Sequence, residues 1–337
     1  MTDLITTIKR NFAQKRVVIV GDLVADQFLN GTISRVSREA PVFILRHETT
    51  VTLPGAAANA AANVASLGGK PILIGMAGCD ANGELLLEKL DELGVDVANV
   101  VKDDSIDTTT KVRVLAGQHY AARQQVIRID YENTASVSSA LREKLRDNLL
   151  AAADEADAIV ISDYHCGTIT NELFETARNI STERKIPLIV DSRYRLSDFR
   201  GASSATPNRE EVEKILGKNF TVGDCELLRQ RLDYEALIVT NGNEGMLVVE
   251  RDKPPLSIDA VGSKEPADVT GAGDTVIAAF SLGLASGLSY ADAARVANHA
   301  GGIVVMKKGT ATVSADELIL SLGSDSISKS AGRSNDA

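Results

Sequence analysis

The run Asp268-Val269-Thr270-Gly271-Ala272-Gly273-Asp274-Thr275 leads directly into the apolar stretch Val276-Ile277-Ala278-Ala279-Phe280. Three small residues at the head of a helix leave several backbone N–H groups pointing into open space. With the helix dipole these groups make a site for an anion such as a phosphoryl group in transfer. Asp274 falls in the first turn beside that anion. A carboxylate there can accept a hydroxyl proton while the backbone at Gly271, Ala272 and Gly273 stabilises charge on the phosphoryl oxygens. The same acid also reads as a helix-start residue complementing the dipole. The GxxxxGK[ST] phosphate-binding pattern is absent, which argues against a P-loop nucleotidase.

Further candidates lie upstream. Gly55-Ala56-Ala57-Ala58-Asn59-Ala60-Ala61-Ala62-Asn63 reads as a helix of very small residues opened by Pro54-Gly55. Tight helix packing accounts for the alanines, but Asn59 and Asn63 share one face and buried amides need partners. Asp22 ends the strand-like run Val17-Val18-Ile19-Val20-Gly21, with Asp26 one turn later, and Asp163 and Asp191 repeat the arrangement. Ligands of open α/β sheets bind beyond the carboxyl ends of strands, so these acids suggest a polar cleft along one sheet edge, although a single such acid is often only a cap. Asn208 and Glu211 are three apart and can both address a metal–nucleotide phosphate, or form a capping box. Thr240-Asn241-Gly242-Asn243-Glu244-Gly245 follows a strand-like run into a glycine turn, and an ordinary hairpin turn explains it equally.

These residues must be carried by alternating elements. Apolar β-branched runs at 17–20, 72–76, 158–162, 188–190, 236–239 and 246–249 alternate with helix-like stretches at 57–67, 83–93, 139–152, 171–180, 210–216, 272–285 and 290–306. That is the pattern of an α/β fold with a doubly wound, mostly parallel sheet and helices on both faces. Residues 26–52 and 108–130 break the rhythm with alternating segments such as Val42-Phe43-Ile44-Leu45-Arg46 and Lys111-Val112-Arg113-Val114-Leu115. Alternation predicts strands with one wet face, here a small antiparallel sheet serving as a lid or as a surface where two subunits meet. One domain is expected over 1–322, followed by a tail at 323–337 without apolar periodicity and expected to be disordered.

The 337 residues are 44% hydrophobic with a formal net charge of −10. An acidic chain without a Lys/Arg block is a poor partner for nucleic acid. No run of about 18 apolar residues suggests a membrane span, and residues 1–16 lack a leader's apolar core, so a cytoplasmic protein is expected. Cys79, Cys166 and Cys225 are widely spaced, and His47, His119, His165 and His299 show no ligand spacing, which predicts neither a disulfide framework nor a metal knuckle.

With these motifs in this order, residues 16–320 resemble the PfkB/ribokinase family of carbohydrate kinases. The matching segments are Gly55 to Asn63, Asp163, Asn208-x-x-Glu211, Thr240-x-Gly242-x-x-Gly245 and Gly271-Ala272-Gly273-Asp274. Within the family the chain is most similar to the kinase domain acting on D-glycero-D-manno-heptose 7-phosphate. The segments carrying this likeness are Arg35-Val36-Ser37-Arg38-Glu39-Ala40-Pro41-Val42, Thr109-Thr110-Lys111-Val112-Arg113-Val114, Gln124-Gln125-Val126-Ile127-Arg128-Ile129-Asp130 and Gly309-Thr310-Ala311-Thr312-Val313-Ser314. Such enzymes phosphorylate the anomeric hydroxyl. Many are fused to a nucleotidyltransferase, for which this chain is expected to be too short.

The resemblance implies ATP and Mg²⁺ as cofactors, a sugar or sugar phosphate as acceptor, and a homodimer formed through the lid. By position it implies Asp274 as base and Gly271, Ala272 and Gly273 as anion hole. Asp22, Gly55, Ala56, Asn59 and Asp163 would bind the sugar, and Asn208 and Glu211 would organise Mg²⁺ and phosphates. Thr240, Gly242, Gly245 and Asn298 would border ATP, and Asp268 and Thr270 occupy positions that hold a monovalent cation such as K⁺ in some relatives. Three departures stand out. The heptose kinases read Asp-Tyr-x-Lys-Gly where this chain has Asp163-Tyr164-His165-Cys166-Gly167, and Asp-Pro-Lys-Gly where it has Asp191-Ser192-Arg193-Tyr194, a place where Arg193 or Arg195 could supply the charge. Residues 118–123 look like an insertion between lid strands. A ketohexose phosphate, pentose or nucleoside acceptor, or a catalytically weak binding homologue, are the alternative readings.

Overall fold

The computed structural model describes residues 2–117, 123–132, 137–263 and 265–333, with side chains from Asp3 to Ser324. The insertion expected at 118–123 lies almost wholly outside the described residues.

The main sheet begins with β1 (Arg16–Gly21), whose residues Val17 to Val20 are fully buried. Strand side chains alternate between faces. Val17 and Ile19 therefore enter one core and Val18 and Val20 the other. Flanking β1 are β4 (Lys70–Gly78) and β8 (Ala158–Asp163), both parallel to it. Outward from β4 lies β5 (Val100–Asp103). Outward from β8 come β9 (Leu188–Ser192), the two-residue β10 (Ser204–Ala205) and β11 (Ala236–Thr240), again parallel. The edge is closed by the antiparallel strands β12 (Met246–Glu250) and β13 (Leu256–Ile258). The nine strands thus form a doubly wound, mostly parallel sheet.

One face is covered by α2 (Ala57–Ser66), α8 (Ala272–Ala285) and α9 (Tyr290–Val304). The alanines of α2 let it lie directly against α8, and Phe280 of α8 is fully buried between layers. Each such aromatic or aliphatic side chain contributes about 1.5–3 kcal/mol. The other face carries α4 (Ser139–Ala153), α5 (Asn171–Arg184) and α7 (Val222–Leu232). A further helix, α6 (Arg209–Leu216), follows β10. The sequence periodicity marks α8 with its observed bounds but misses α7 and the terminal helices α1 (Thr2–Asn11) and α10 (Ala315–Arg333). The last continues through the segment expected to be disordered as far as Arg333, and 334–337 lie outside the described residues. Among the described residues no helix is long and apolar enough to cross a membrane.

The two alternating segments fold together as expected. β2 (Leu23–Val36) and β3 (Phe43–Ala56) make one antiparallel hairpin, and β6 (Thr110–Gly117) and β7 (Gln124–Tyr131) make another. The hairpins join along β2 and β6, which run parallel, giving the order β3-β2-β6-β7. Only Asp22 separates β1 from β2, so the lid grows directly out of the central strand. The joint leaves no room for a side chain: a Cβ on Gly21 would lie 2.3 Å from the carbonyl oxygen of Ser162.

Candidate active site

Asp274 occupies the third position of α8, and its carboxylate is 3% exposed. Gly271 precedes the helix with φ 78°, a conformation that suits glycine. A Cβ there would also meet the Asn59 amide nitrogen at 2.5 Å, so the glycine admits that amide to the carboxylate. Asn59 Nδ2 donates to Asp274 Oδ2 at 2.8 Å, and the Tyr164 hydroxyl donates to Asp274 Oδ1 at 2.8 Å. Asn59 Oδ1 accepts from Asn63 Nδ2 at 3.1 Å, and Asn63 Oδ1 accepts from the Thr275 hydroxyl at 3.1 Å. The two amides of the alanine-rich helix thereby find their partners in α8. Burial raises the Asp274 carboxyl to about 6, against the lowering effect of its two donors.

A Cβ on Gly273 would meet nothing, so the backbone at the head of α8 faces open space. The Ala272 amide turns back to the Val269 carbonyl at 3.2 Å. Ala272 therefore withdraws from the expected anion hole, and the amides of Gly273 and Asp274, which have no intrahelical acceptor, remain for an anion.

Above Asp274 opens a cleft of about 420 Å³ between the head of α8, the strand ends and the lid. Asp26, Asp191, Glu211 and Asp274 line it together with Lys111, Arg113, Arg128 and Arg193. Desolvation, with Arg113 opposing it, raises Asp26; the two side chains form an ion pair. Desolvation and the carboxylates of Glu211, Asp274 and Asp163 push Asp191 well above the usual range. Burial also raises Glu211, against the bonds it makes with Asn208. A cleft holding raised acids beside four cations is suited to a polyanionic, cation-bearing ligand.

The sequence-predicted residues divide into those that line this cleft and those that stand behind it. Ala56, Asn208, Glu211, Thr240, Thr270 and the Gly271 to Asp274 segment line it. Asn208 and Glu211 do form a capping box at the head of α6, and they face the cleft as well. Glu211 Oε2 accepts from the Asn208 amide at 2.9 Å, leaving its second oxygen for a ligand.

Asp22 is a correction. Its carboxylate is 1% exposed and accepts from the amides of Tyr164, Cys166 and Thr168 at 2.8, 3.0 and 3.0 Å, so it pins a loop instead of contacting a sugar. Asp26 takes the wall position. Gly55 stands behind it, since a Cβ there would lie 2.6 Å from Asp26 Oδ2. Asn59 is fully buried behind Asp274 and also does not line the cleft. Asp163 is corrected likewise: it is 1% exposed and held by Arg195 at 2.7 Å and by the Ser192 hydroxyl at 2.7 Å. Arg195 is thereby consumed, and Arg193 is the arginine that reaches the cleft.

An apolar slot of about 190 Å³ adjoins the cleft. Gly242, Gly245 and Asn298 line it with Val261, Val276 and Val305, and Thr240, Ala272 and Gly273 belong to both spaces. Gly242 and Gly245 do form the β11–β12 hairpin turn, with φ 56° and 96°, so the turn reading and the lining reading both hold. An annex of about 290 Å³ also adjoins the cleft and is lined by Lys111, Arg128, Arg193, Tyr164, His165 and Cys166 among others. The lid cations were missed on the sequence. Lys111 and Arg113 are two apart on one strand and so share a face, which is the signal that could have found them.

The chain matches the family described as pfkB family carbohydrate kinase over residues 14–317. It belongs to that family. The kinase is 36% identical to the bifunctional protein HldE of Koribacter versatilis over 97% of its own length and 67% of the relative's. It is 39% identical to the protein of the same name from Geobacter metallireducens, over 93% of this chain and 64% of that one. It thus spans about two-thirds of the length of these curated relatives. Among solved structures, phosphofructokinase-2 from Escherichia coli in complex with substrates and products aligns with TM-score 0.75 and 22% identity, over 91% of the kinase and 98% of that chain. Arabidopsis thaliana ribokinase complexed with ribose and ATP aligns with TM-score 0.69 and 20% identity, over 91% and 98%. At these identities the likeness shows the ribokinase-like fold alone.

The division between wall and support can be tested in the kinase by a pair of variants. Asp26→Asn should cut kcat/KM for the sugar acceptor about 100-fold, as expected for losing hydrogen bonds to a charged group. Asp22→Asn should instead lower unfolding free energy by about 1–3 kcal/mol in urea titration, because one amide acceptor of the loop is replaced by a donor.

Proposed function

We propose that this kinase transfers the γ-phosphoryl group of ATP to the anomeric hydroxyl of a heptose 7-phosphate or a sugar phosphate close to it. The observation that carries this reading is the placement of Asp274 where the charged cleft, the apolar slot and the exposed amides of α8 converge. The slot accepts the adenine and ribose, and the γ-phosphoryl group lies over the amides of Gly273 and Asp274. The acceptor hydroxyl gives its proton to Asp274 as its oxygen bonds to the γ-phosphorus. The bond from that phosphorus to the bridging oxygen breaks, and its electron pair leaves with ADP. Catalysis is then mostly positioning and charge neutralisation.

Mg²⁺ would be addressed by Glu211 and Asn208, whose place in the cleft and uncommitted carboxylate oxygen fit an ion reached through water. It would neutralise phosphate charge. Asp268 fits a monovalent ion less well. Burial raises its carboxyl, but bonds from the amides of Thr270 and Gly309 outweigh this and hold it below the usual range; each amide lies at 2.9 Å. The carboxylate serves the loop, and we assign K⁺ no step.

The acceptor's own phosphate would enter the annex. Lys111 and Arg128 from the lid and Arg193 would meet it there, beside the acids Asp130 and Glu132. Arg113 and Arg128 face each other across β6 and β7, each paired with a carboxylate, Asp26 and Asp130 respectively. The outer lid also supports a homodimer. Phe43, Val126, Ile127 and Ile129 are all between 41 and 59% exposed, a large apolar surface for one small sheet. Sedimentation at micromolar concentration should give twice the 35.7 kDa chain mass, and a single-chain mass would remove this part of the reading.

Three measurements test the activity. Asp274→Asn should stay folded and bind ATP while kcat drops by about 10³-fold or more, the range of a lost general base. In the native enzyme kcat/KM should decline as pH falls through about 6, where the carboxylate takes up a proton. In a panel reading ADP formation, D-glycero-D-manno-heptose 7-phosphate should exceed fructose 6-phosphate, ribose and adenosine. A different preferred acceptor would replace the substrate assignment, and binding without turnover would replace the kinase assignment.

A further inference from the structure

We propose that Tyr164 is a positioning residue for the base: its hydroxyl fixes the rotamer of Asp274 and keeps that carboxylate ionised for proton abstraction. The proposal rests on the reading of Asp274 as the base.

The geometry comes from both ends of the tyrosine. Its hydroxyl donates to Asp274 Oδ1 at 2.8 Å while Asn59 holds Oδ2 at 2.8 Å, so each carboxylate oxygen has one protein donor and the plane of the carboxylate is set. An ionised oxygen accepts two hydrogen bonds, so Oδ1 can keep Tyr164 and still receive the acceptor hydroxyl. At the other end, the Tyr164 amide donates to Asp22 Oδ2 at 2.8 Å. The amides of Cys166 and Thr168 on the same carboxylate anchor the loop around it. Asp22 at the end of the central strand thus sets where the phenol stands, which gives that buried acid a purpose the sugar-binding expectation did not.

The ring lies on the wall shared by the main cleft and the annex. Lys111 Nζ is 5.5 Å and Arg193 Cζ 5.9 Å from its centroid, so the cations that line the annex also steady the aromatic face. Desolvation, together with the Asp274 charge, keeps the phenol protonated far above neutral pH, and it acts only as a donor. The charged groups around Asp274 are Asp26 of β2, which raises its carboxyl, Lys111 of β6, which lowers it, and Asp191 of β9, whose own carboxyl Asp274 raises; Asp191 and Arg193 also stand beside Tyr164. Against that mixed field, Asn59 and Tyr164 are the hydrogen-bond donors that favour the ionised form.

Removing the hydroxyl alone leaves an oxygen of a buried carboxylate without its donor, which favours the protonated acid. In Tyr164→Phe the kcat should fall about tenfold with KM for both substrates within about threefold, the size of one hydrogen bond to a charged group. The acidic limb of kcat/KM should move to higher pH by about one unit, by the same energy. A direct reading that needs no acceptor is the ¹³C carboxyl titration of labelled aspartates, with the Asp274 signal identified by its loss in Asp274→Asn. The Asp274 midpoint should rise in Tyr164→Phe, and thermal melting should confirm that the variant is folded. An unchanged midpoint and unchanged kcat in a folded variant would overturn the proposal, as would an increase in KM alone, which would make Tyr164 a substrate contact. If Asp274→Asn itself kept full turnover, the base assignment would fail, whatever Tyr164→Phe did to the titration.

Discussion

A carboxylate taken out of water must be held by donors or it protonates, and Asp274 is the place where this protein meets that constraint. Its two donors come from separate parts of the chain: Asn59 from a helix beside the sheet and Tyr164 from the loop after β8. Each donor needs its own support. Asn59 requires a glycine at 271 to come close and Asn63 to hold its carbonyl, while Tyr164 requires Asp22 to fix its loop. The alanine-rich face of α2, the αL turn before α8 and the buried strand-end acid are all consequences of placing one carboxylate at the head of a helix.

That arrangement explains why some of the site could be read from the sequence and some could not. Asp274 and the bounds of its helix were legible because the small residues and the apolar run that follow one another are local signals. The need for partners at Asn59 and Asn63 was legible from their spacing, but not who the partners were, since Thr275 is 212 residues from Asn63. Asp22 was mistaken for a sugar contact because the strand-end rule applies to the first acid after β1. The chain continues almost without a break into the lid, so the cleft wall falls four residues later at Asp26. The helix α7 was invisible to periodicity, whereas β10 was simply too short to register. The spacing of Lys111 and Arg113 shows that they share a face, but that this face meets the cleft depends on two hairpins joining side by side, which no local pattern states.

The charges divide the labour around the base. Asp26, Asp191, Glu211 and Asp274, whose carboxyls are raised, line the cleft together with Lys111, Arg113, Arg128 and Arg193. Three of those four cations come from lid strands, so the lid supplies most of the positive charge that lines the cleft.

A crystal structure of the protein with a non-hydrolysable ATP analogue, Mg²⁺ and D-glycero-D-manno-heptose 7-phosphate tests the central claim most directly. The account predicts the adenine in the slot beside Asn298 and the terminal phosphate over the amides of Gly273 and Asp274. The acceptor hydroxyl should lie at about 2.6–3.2 Å from the Asp274 carboxylate, in line with that phosphate. A bound acceptor with no hydroxyl within hydrogen-bond reach of Asp274, or a nucleotide seated away from the head of α8, would contradict it.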